Sequence, residues 1–233
     1  MMERAARDHI LFANRGTCSI GPEMVLEEVG FPFQLVPVNT RENQSRTADY
    51  LKINPAGQVP CLVFPDGRKI AESAAIMLTL QKHSPDHPFA SAWCDDRMPA
   101  VLRWLFFLSG SMTRGYSLSG RPDKFVSDTH CQSSLAKAAK EQLGGLWDIV
   151  EGALEGDTFF REGYSIVDVF IAMQLLWDAG RASLLSTRPR LSNLFHAVTA
   201  RPAIAKVVER HSSADFWRYD SVNLPQLASE LSR

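Results

Sequence analysis

The sequence contains few cysteines, and those it has are scattered. Cys18, Cys61, Cys94 and Cys131 form no CxxC pair and no cluster with the spacing of zinc ligands. The six histidines also lack metal-ligand spacing, so we predict no metal site. Isolated cysteines of this kind are typical of a reducing compartment, and we expect a cytoplasmic protein.

Long apolar runs, internal repeats and an excess of charge are also missing. No run reaches the roughly 18–20 apolar residues of a transmembrane helix, and the charged segment Met1–Asp8 lacks the apolar centre of a signal peptide. We therefore predict no membrane partner. The 25 Lys and Arg nearly balance the 26 Asp and Glu, which argues against a broad nucleic-acid surface. The 233 residues have an ordinary globular composition, with room for one large domain or two small ones.

The most informative stretch of the chain is Asn54–Ser73. Pro60 stands directly before the apolar run Cys61–Phe64, and a proline without an N–H suits the first residue, edge or bulge of a strand. A Phe-Pro-Asp-Gly turn and a short return strand, Arg68–Ala71, follow. Ser73 then precedes a helical run and is predicted to be its N-cap. A hairpin that leads into a capped helix suits a small anionic or peptide-like ligand.

The first third of the chain alternates strand and helix patterns. Strands are predicted at His9–Ala13 and Phe33–Val38, and helices at Gly21–Val29 and Thr47–Ile53, before the hairpin and its helix. This β-α-β-α-β-β-α order implies a parallel pair with an antiparallel edge, which is the thioredoxin-like arrangement.

The pattern changes after the break at residues 83–88, because almost no strand signal follows it. Helices are predicted at Arg97–Met112, Ser127–Leu154, Ile166–Ala179, Pro189–Ala200 and Pro202–His211, with a break at Gly115–Pro122 and a less regular tail from Ser212. We therefore predict an α+β protein, with a thioredoxin-like α/β domain at residues 8–83, a linker at 84–94 and an all-α helical bundle at 95–233.

This organisation, with several motifs, resembles the cytosolic glutathione S-transferase superfamily. The residues that carry the resemblance are Asn54-Pro55, Gln58-Val59-Pro60, Glu72-Ser73 and Ser165–Asp168. The resemblance implies a homodimer that uses glutathione as co-substrate and activates its thiol for attack on a small hydrophobic electrophile. It also implies that residues 8–83 form the glutathione-binding domain.

The loop Arg15–Ser19 looks most like the bacterial beta class of this superfamily, where a cysteine occupies the position of Cys18. One position departs from that class. Beta-class proteins usually carry a histidine after a tryptophan in the first long helix of the helical domain. Counted from Trp104, this chain has Thr113 there, followed by Arg114.

The resemblance also implies how glutathione is held. Pro60 is expected to be cis, and the N–H and C=O of Val59 then pair with the cysteinyl part of glutathione as an added strand does. Glu72 accepts from the γ-glutamyl ammonium. Ser73 and the free amides of the helix start donate to the γ-glutamyl carboxylate, and Gln58 supports the same end.

Three neighbouring side chains compete for the chemistry. The N-terminal end of the following helix favours a thiolate at Cys18, which predicts a lowered pKa, although a free cysteine is more generally buried and inert. Ser19 is the main rival, because a hydroxyl there can donate to the glutathione sulfur, and Thr17 is a third candidate. A hydroxyl favours conjugation, whereas a cysteine can form a mixed disulfide and favour thiol transfer or disulfide reduction. A non-enzymatic binding or regulatory role is a further alternative, since fold does not fix function.

The remaining candidates have weaker signals. Ser165 and Asp168 fit a structural capping pair. Arg41 is suited either to the glycyl carboxylate of glutathione or to a solvated surface. The aromatic and methionine positions can line an electrophile pocket or the core: Phe106, Phe107, Met112 and Tyr116. Packing or surface roles are expected for the other three cysteines: Cys61, Cys94 and Cys131.

Overall fold

The computed structural model describes residues 8–87, 96–219 and 224–231. It forms two compact units. The first contains residues 8–87, 199–219 and 224–231, and the second contains residues 96–198. We predicted residues 95–233 as one helical domain. In the structure, the segment after residue 198 is helical but packs with the first unit. Cys94 and most of the predicted linker, 84–94, lie outside the described residues.

A four-stranded mixed sheet forms the centre of the first unit. Its strands are β1 (His9–Ala13), β2 (Phe33–Pro37), β3 (Cys61–Val63) and β4 (Lys69–Ala71). The order across the sheet is β2-β1-β3-β4, with β1 parallel to β2 and antiparallel to β3, and β3 antiparallel to β4. The predicted thioredoxin-like arrangement, with a parallel pair and an antiparallel edge, is confirmed.

Most α-helices of the described residues fall close to predicted positions, but those at Thr113–Gly120, Arg181–Ser186 and Leu224–Glu230 were not predicted. In chain order the α-helices are α1 (Ile20–Val29), α2 (Ala48–Ile53), α3 (Ser73–Lys82), α4 (Met98–Phe106), α5 (Thr113–Gly120), α6 (Thr129–Ala153), α7 (Ile166–Trp177), α8 (Arg181–Ser186), α9 (Pro189–Thr199), α10 (Pro202–Ser212) and α11 (Leu224–Glu230). No helix in the described part of the chain is long and apolar enough to cross a membrane.

The C-terminal helices bury two faces of the first unit. Ala228 of α11 joins a core cluster that contains Phe12 of β1 and Tyr50 of α2. α10 packs on α1 through charged side chains, where Arg201 makes a forked contact with Glu28 at 2.7–3.0 Å. The C-terminal segment is therefore held by apolar burial at α11 and by paired charges at α10.

Near the start of the second unit, the chain stays helical through Gly115, where we predicted a break. We predicted a break at Gly115–Pro122, but a π-helical turn, Phe107–Met112, leads from α4 directly into α5, which continues to Gly120. Gly115 is buried against α6, and a Cβ there would lie 2.8 Å from Cδ2 of Leu143. The glycine therefore permits close approach of two helices and does not end a helix.

The buried helix α7 begins with a complete capping box. Ser165 Oγ accepts from Val167 N–H at 3.2 Å, and Asp168 Oδ2 accepts from the N–H and Oγ–H of Ser165 at 2.8 and 2.6 Å. Asp168 Oδ1 also accepts from Phe159 N–H at 2.6 Å. Burial raises the pKa of Asp168 despite these bonds. The predicted structural role of the Ser165–Asp168 pair is confirmed.

Candidate functional site

The loop before β3 is fixed by two side-chain donors. Tyr50 Oη and Asn54 Nδ2 each donate to the carbonyl oxygen of Gln58 at 2.7 Å. Burial raises the pKa of Tyr50, which keeps its hydroxyl protonated as a donor. The backbone just before Val59 is thereby held by two side chains, one within α2 and one from the residue that ends it. No sequence pattern marks Tyr50 for this role, because only tertiary contact brings its hydroxyl to the loop.

Gly57 allows this loop to turn closely against its neighbour. Its φ is +61°, a conformation that L side chains rarely adopt, and a Cβ would lie 2.9 Å from the carbonyl oxygen of Ser45. Its N–H donates to the carbonyl of Asn54 at 2.9 Å. The conformation of the loop therefore depends on glycine at this position.

The backbone of Val59 presents a hydrogen-bonding edge at the end of the loop. The Val59–Pro60 peptide bond is cis, as predicted. Within the part of the chain that the structure describes, the Val59 N–H has no acceptor, while its carbonyl accepts from the thiol of Cys18 at 3.5 Å. The N–H is thus free to donate, and the carbonyl accepts only one weak hydrogen bond. An added peptide strand requires such a donor and acceptor side by side.

A strained residue stands at the start of α3. We predicted Ser73 as the N-cap, but Glu72 occupies that position and Ser73 is the first residue of the helix. Glu72 has φ 68° and ψ 114°, a conformation that costs a non-glycine residue about 1–3 kcal/mol and clusters at functional sites. The first helical bond runs from Ile76 N–H to the Glu72 carbonyl, so the amides of the first turn point outward as donors for an anion.

Cys18 lies where these two features meet. Its sulfur contacts the Val59 carbonyl, and its side chain is half-buried. Burial, together with a smaller contribution from the negative charge of Glu72, raises the pKa of Cys18 to about 11. The prediction of a lowered pKa was therefore wrong, because loss of solvation outweighs the effect of the helix N-terminus. At neutral pH this side chain is a thiol and can donate a hydrogen bond.

The two rival hydroxyls are used inside their own loop. Ser19 is fully buried, and its Oγ accepts from Asn14 N–H at 3.2 Å and lies 3.0 Å from Thr17 Oγ1. Thr17 Oγ1 donates to the Asn14 carbonyl at 2.8 Å. Of the three candidates, Cys18 has the side chain that faces the Val59 edge.

Two further residues that were predicted to contact glutathione have side chains at the surface. The side chain of Gln58 is exposed, although its carbonyl accepts from Tyr50 and Asn54. Arg41 is also exposed, in the 3₁₀ turn Thr40–Glu42. The structure brings Cys18, Val59 and Glu72 together but gives Arg41 no comparable contact with them.

The pocket candidates of the second unit divide into core and surface residues. Met112 is completely buried, whereas Phe106 is 68% exposed. The Tyr116 hydroxyl donates to Asp178 Oδ2 at 2.9 Å and accepts from the Trp147 indole at 3.0 Å. These contacts assign Met112 and the Tyr116 hydroxyl to the internal packing of the helical unit.

The position that departs from the beta class is also used internally. Thr113 Oγ1 donates to the Leu108 carbonyl at 3.1 Å and accepts from the Gln174 side-chain amide at 3.0 Å. Gln174 donates to the same carbonyl at 2.8 Å. Thr113 therefore stabilises the end of the π-helical turn.

The other described cysteines and the metal-ligating residue types provide no further site. Cys61 is buried in the core, Cys131 is exposed on α6, and both are free thiols. Across residues 8–87, 96–219 and 224–231, no group of three or more His, Cys, Asp and Glu residues is arranged to hold a metal ion.

Comparisons with known proteins agree on one family. Residues 17–83 match the sequence model described as glutathione S-transferase, N-terminal domain. Glutathione S-transferase GstA of Escherichia coli O157:H7 is 27% identical over 196 residues, which cover 83% of this chain and 94% of that protein. The solved structure of BphK, described as a bacterial GST in a ternary complex, has a TM-score of 0.77 at 27% identity and covers 88% of this chain and all of that one. A glutathione transferase homologue from Sulfitobacter, solved with bound glutathione, has a TM-score of 0.80 at 23% identity and covers 87% and 98%.

Proposed function

We propose that this chain is a glutathione S-transferase, which binds glutathione and activates the thiol for attack on a small hydrophobic electrophile; the match of residues 17–83 to the family model and the relatives at 27% identity support this. The family match covers the unit that contains Cys18, Val59 and Glu72.

The free edge at Val59 supports the binding of the cysteinyl part of glutathione. That part of the tripeptide has one N–H and one C=O, which complement the C=O and the unpaired N–H of Val59. The γ-glutamyl ammonium is assigned to Glu72, and its carboxylate to Ser73 and the first amides of α3. Gln58, whose side chain is exposed near the same loop, is assigned to the γ-glutamyl end.

The observation that carries the proposal is the 3.5 Å contact between the Cys18 sulfur and the Val59 carbonyl. A ligand paired with Val59 presents its own sulfur close to this thiol. A raised pKa keeps Cys18 neutral, so Cys18 can donate to a glutathione thiolate without placing two negative charges side by side. A hydrogen bond to a charged group contributes about 1.5–3 kcal/mol, which corresponds to lowering the pKa of the glutathione thiol by about one or two units.

Ser19 is assigned an indirect role in this scheme. Its buried hydroxyl accepts the Asn14 N–H and contacts Thr17, so it fixes the loop that presents Cys18. Substitution of Ser19 should then affect stability and loop geometry more than it affects the sulfur of glutathione directly.

Thiol transfer is the second candidate function, and the position of the same sulfur favours it. A thiolate of Cys18 can attack a glutathione mixed disulfide and release the partner thiol, with the new S–S bond joining Cys18 to glutathione. A second glutathione thiolate then attacks that bond, which releases oxidised glutathione and restores Cys18. The raised pKa of Cys18 disfavours the first step, and for this reason we place conjugation first. A purely binding or regulatory role would show glutathione binding without either activity.

The experiment that tests the function compares two activities in four proteins. Conjugation to a chlorinated dinitrobenzene and reduction of a mixed disulfide are measured for the wild type, Cys18→Ala, Ser19→Ala and Cys131→Ser as the matched cysteine control. We expect conjugation by the wild type, a loss of about tenfold or more in Cys18→Ala and no change in Cys131→Ser. Failure of the folded wild type to bind immobilised glutathione would refute the proposal. Full conjugation by Cys18→Ala together with none by Ser19→Ala would refute the assignment of Cys18.

Three finer properties belong to the same proposal. We assign the chain to the beta class on the position of Cys18, with Thr113 as its departure. We also propose a homodimer, which light scattering on the purified protein tests. The free thiols of Cys18, Cys61 and Cys131 are consistent with a reducing, cytoplasmic location, which fractionation of the source cells tests.

A further inference from the structure

A buried histidine near the end of α10 contacts the loop that carries Cys18. His211 Nδ1 lies 3.1 Å from the N–H of Gly16, which can only donate. His211 Nε2 lies 2.8 Å from Oε2 of Glu23. Because Nδ1 must accept, the geometry requires the neutral tautomer with its proton on Nε2, which donates to Glu23.

Glu23 holds this imidazole in place from α1. Its side chain is fully buried, and its other oxygen accepts from the guanidinium of Arg210. The guanidinium of Arg210 also donates to Glu27 at 2.8 Å. The orientation of His211 is thus fixed by a carboxylate that is itself held, which leaves Nδ1 aimed at the loop.

A second link joins the same loop to the same end of α10. Arg15 Nε donates to the carbonyl of His211 at 2.9 Å, and Arg15 Nη2 donates to the carbonyl of Ser212 at 3.2 Å. These are last-turn carbonyls, which have no partner within the helix. With the Gly16 bond, three hydrogen bonds connect residues 15–16 to α10.

We propose that His211 is a positioning residue for Cys18: through its bond to the Gly16 amide it fixes the backbone two residues before the thiol. The effect on catalysis rests on the proposed transferase function, whereas the coupling between α10 and the loop does not. Cys18 is held in reach of the Val59 edge by a weak contact of its own sulfur at 3.5 Å, so its placement depends on the backbone that carries it. The distance in sequence, 195 residues, explains why the sequence gives no signal for this role.

Two conservative variants separate positioning from packing. The side-chain oxygen of asparagine can replace Nδ1 of His211, so His211→Asn keeps an acceptor for Gly16 and loses the contact with Glu23. Glutamine places its amide where Nε2 lies, so His211→Gln keeps a donor to Glu23 and loses the acceptor for Gly16. Arg201→Gln is the matched control, since it weakens the contact of α10 with Glu28 without touching the loop.

The experiment measures Cys18 itself and, separately, turnover. Alkylation of Cys18 by iodoacetamide is followed by peptide mass spectrometry, with exposed Cys131 as the reference in the same sample. The kcat for conjugation, the KM for glutathione and the unfolding midpoint are measured in parallel. We expect His211→Gln to alkylate at Cys18 about fivefold faster and to lose about fivefold in kcat at unchanged KM, as loss of one net hydrogen bond implies. His211→Asn should stay within about twofold of the wild type, and Arg201→Gln should lower only the unfolding midpoint.

The outcomes distinguish this inference from the proposed function. If the wild type proves inactive but Cys18 alkylation rises in His211→Gln alone, the function fails and the positioning role stands. Equal alkylation of Cys18 in His211→Gln and the wild type overturns the positioning role, whatever the activity. The same changes in all three variants overturn it too, because they would mean that α10 contributes packing only.

Discussion

If burial holds the pKa of Cys18 at about 11, the folded protein should protect this thiol from alkylation at neutral pH. The ordinary value is 9.0, so folding reduces the thiolate fraction at pH 7 about 100-fold. A more basic thiolate is also a better nucleophile, which recovers about tenfold of that loss. The net prediction is alkylation about tenfold slower in the folded chain than in the unfolded one, before any steric protection.

The assay compares the alkylation rate of Cys18 in the folded protein with its rate in the unfolded chain. Iodoacetamide alkylation of the Cys18 peptide is measured by mass spectrometry from pH 7 to pH 11, in buffer and in urea that unfolds the chain. The rate in the folded protein should still be rising above pH 10, whereas the rate in urea should level off near the ordinary pKa of 9.0. Glu72→Gln removes a charge that raises the pKa of Cys18, so its profile should move to lower pH, while Glu42→Gln at an exposed turn serves as the control.

A folded-state rate that levels off at or below pH 9 would refute this reasoning. Such a result would mean that the helix N-terminus stabilises a Cys18 thiolate in spite of burial. It would also reverse the order of the two enzyme functions, because a thiolate at this position favours thiol transfer.

Three further predictions concern stability and binding. Asp168→Ala should lower the free energy of unfolding by about 2–4 kcal/mol in urea titrations, because buried amides lose their acceptor, and Ser165→Ala should cost about 1 kcal/mol. Burial lowers the pKa of His9 below its ordinary 6.5, so the unfolded chain binds more protons and stability should fall as the pH drops below about 6.5, less steeply in His9→Asn. Tyr50→Phe removes a donor to the Gln58 carbonyl and should raise the KM for glutathione a few-fold at nearly unchanged kcat.

Each of these three predictions can be contradicted by a specific result. Equal unfolding free energies of Asp168→Ala and the wild type would show that the capping box contributes no stability. An identical pH dependence in His9→Asn would assign the acid sensitivity to other groups, among them His87, whose pKa burial also lowers. A fall in kcat without a change in KM for Tyr50→Phe would place its effect on the chemistry and not on the binding loop.

Local patterns were enough to predict the framework of the site. Strand β1 and the capping box of α7 lie at or close to the predicted positions, because each depends on a few neighbouring residues, whereas the cis bond before Pro60 was expected from the family resemblance. Turn residues and cap residues act on their own backbone. The element order then limits the first unit to very few topologies.

The chemistry of the site could not be predicted in the same way. The pKa of Cys18 depends on how deeply the folded chain buries it, and the helix end visible in sequence is the smaller effect. The same applies to Ser19, whose hydroxyl is fully buried, and to the distant partners Tyr50 and His211, whose contacts arise only from tertiary packing. Gly115 was misread for a related reason, since its role is the approach of Leu143 from another helix.

The central claim is that Cys18 donates a hydrogen bond to glutathione held at Val59, and one titration tests it most directly. The ultraviolet thiolate absorbance of bound glutathione is followed against pH for the wild type and for Cys18→Ala. Cys18 does not interfere, because its own pKa is about 11. We predict a pKa for bound glutathione about one unit or more below that of the free tripeptide in the wild type, and loss of most of that shift in Cys18→Ala. The same titration curve for both proteins would contradict the account.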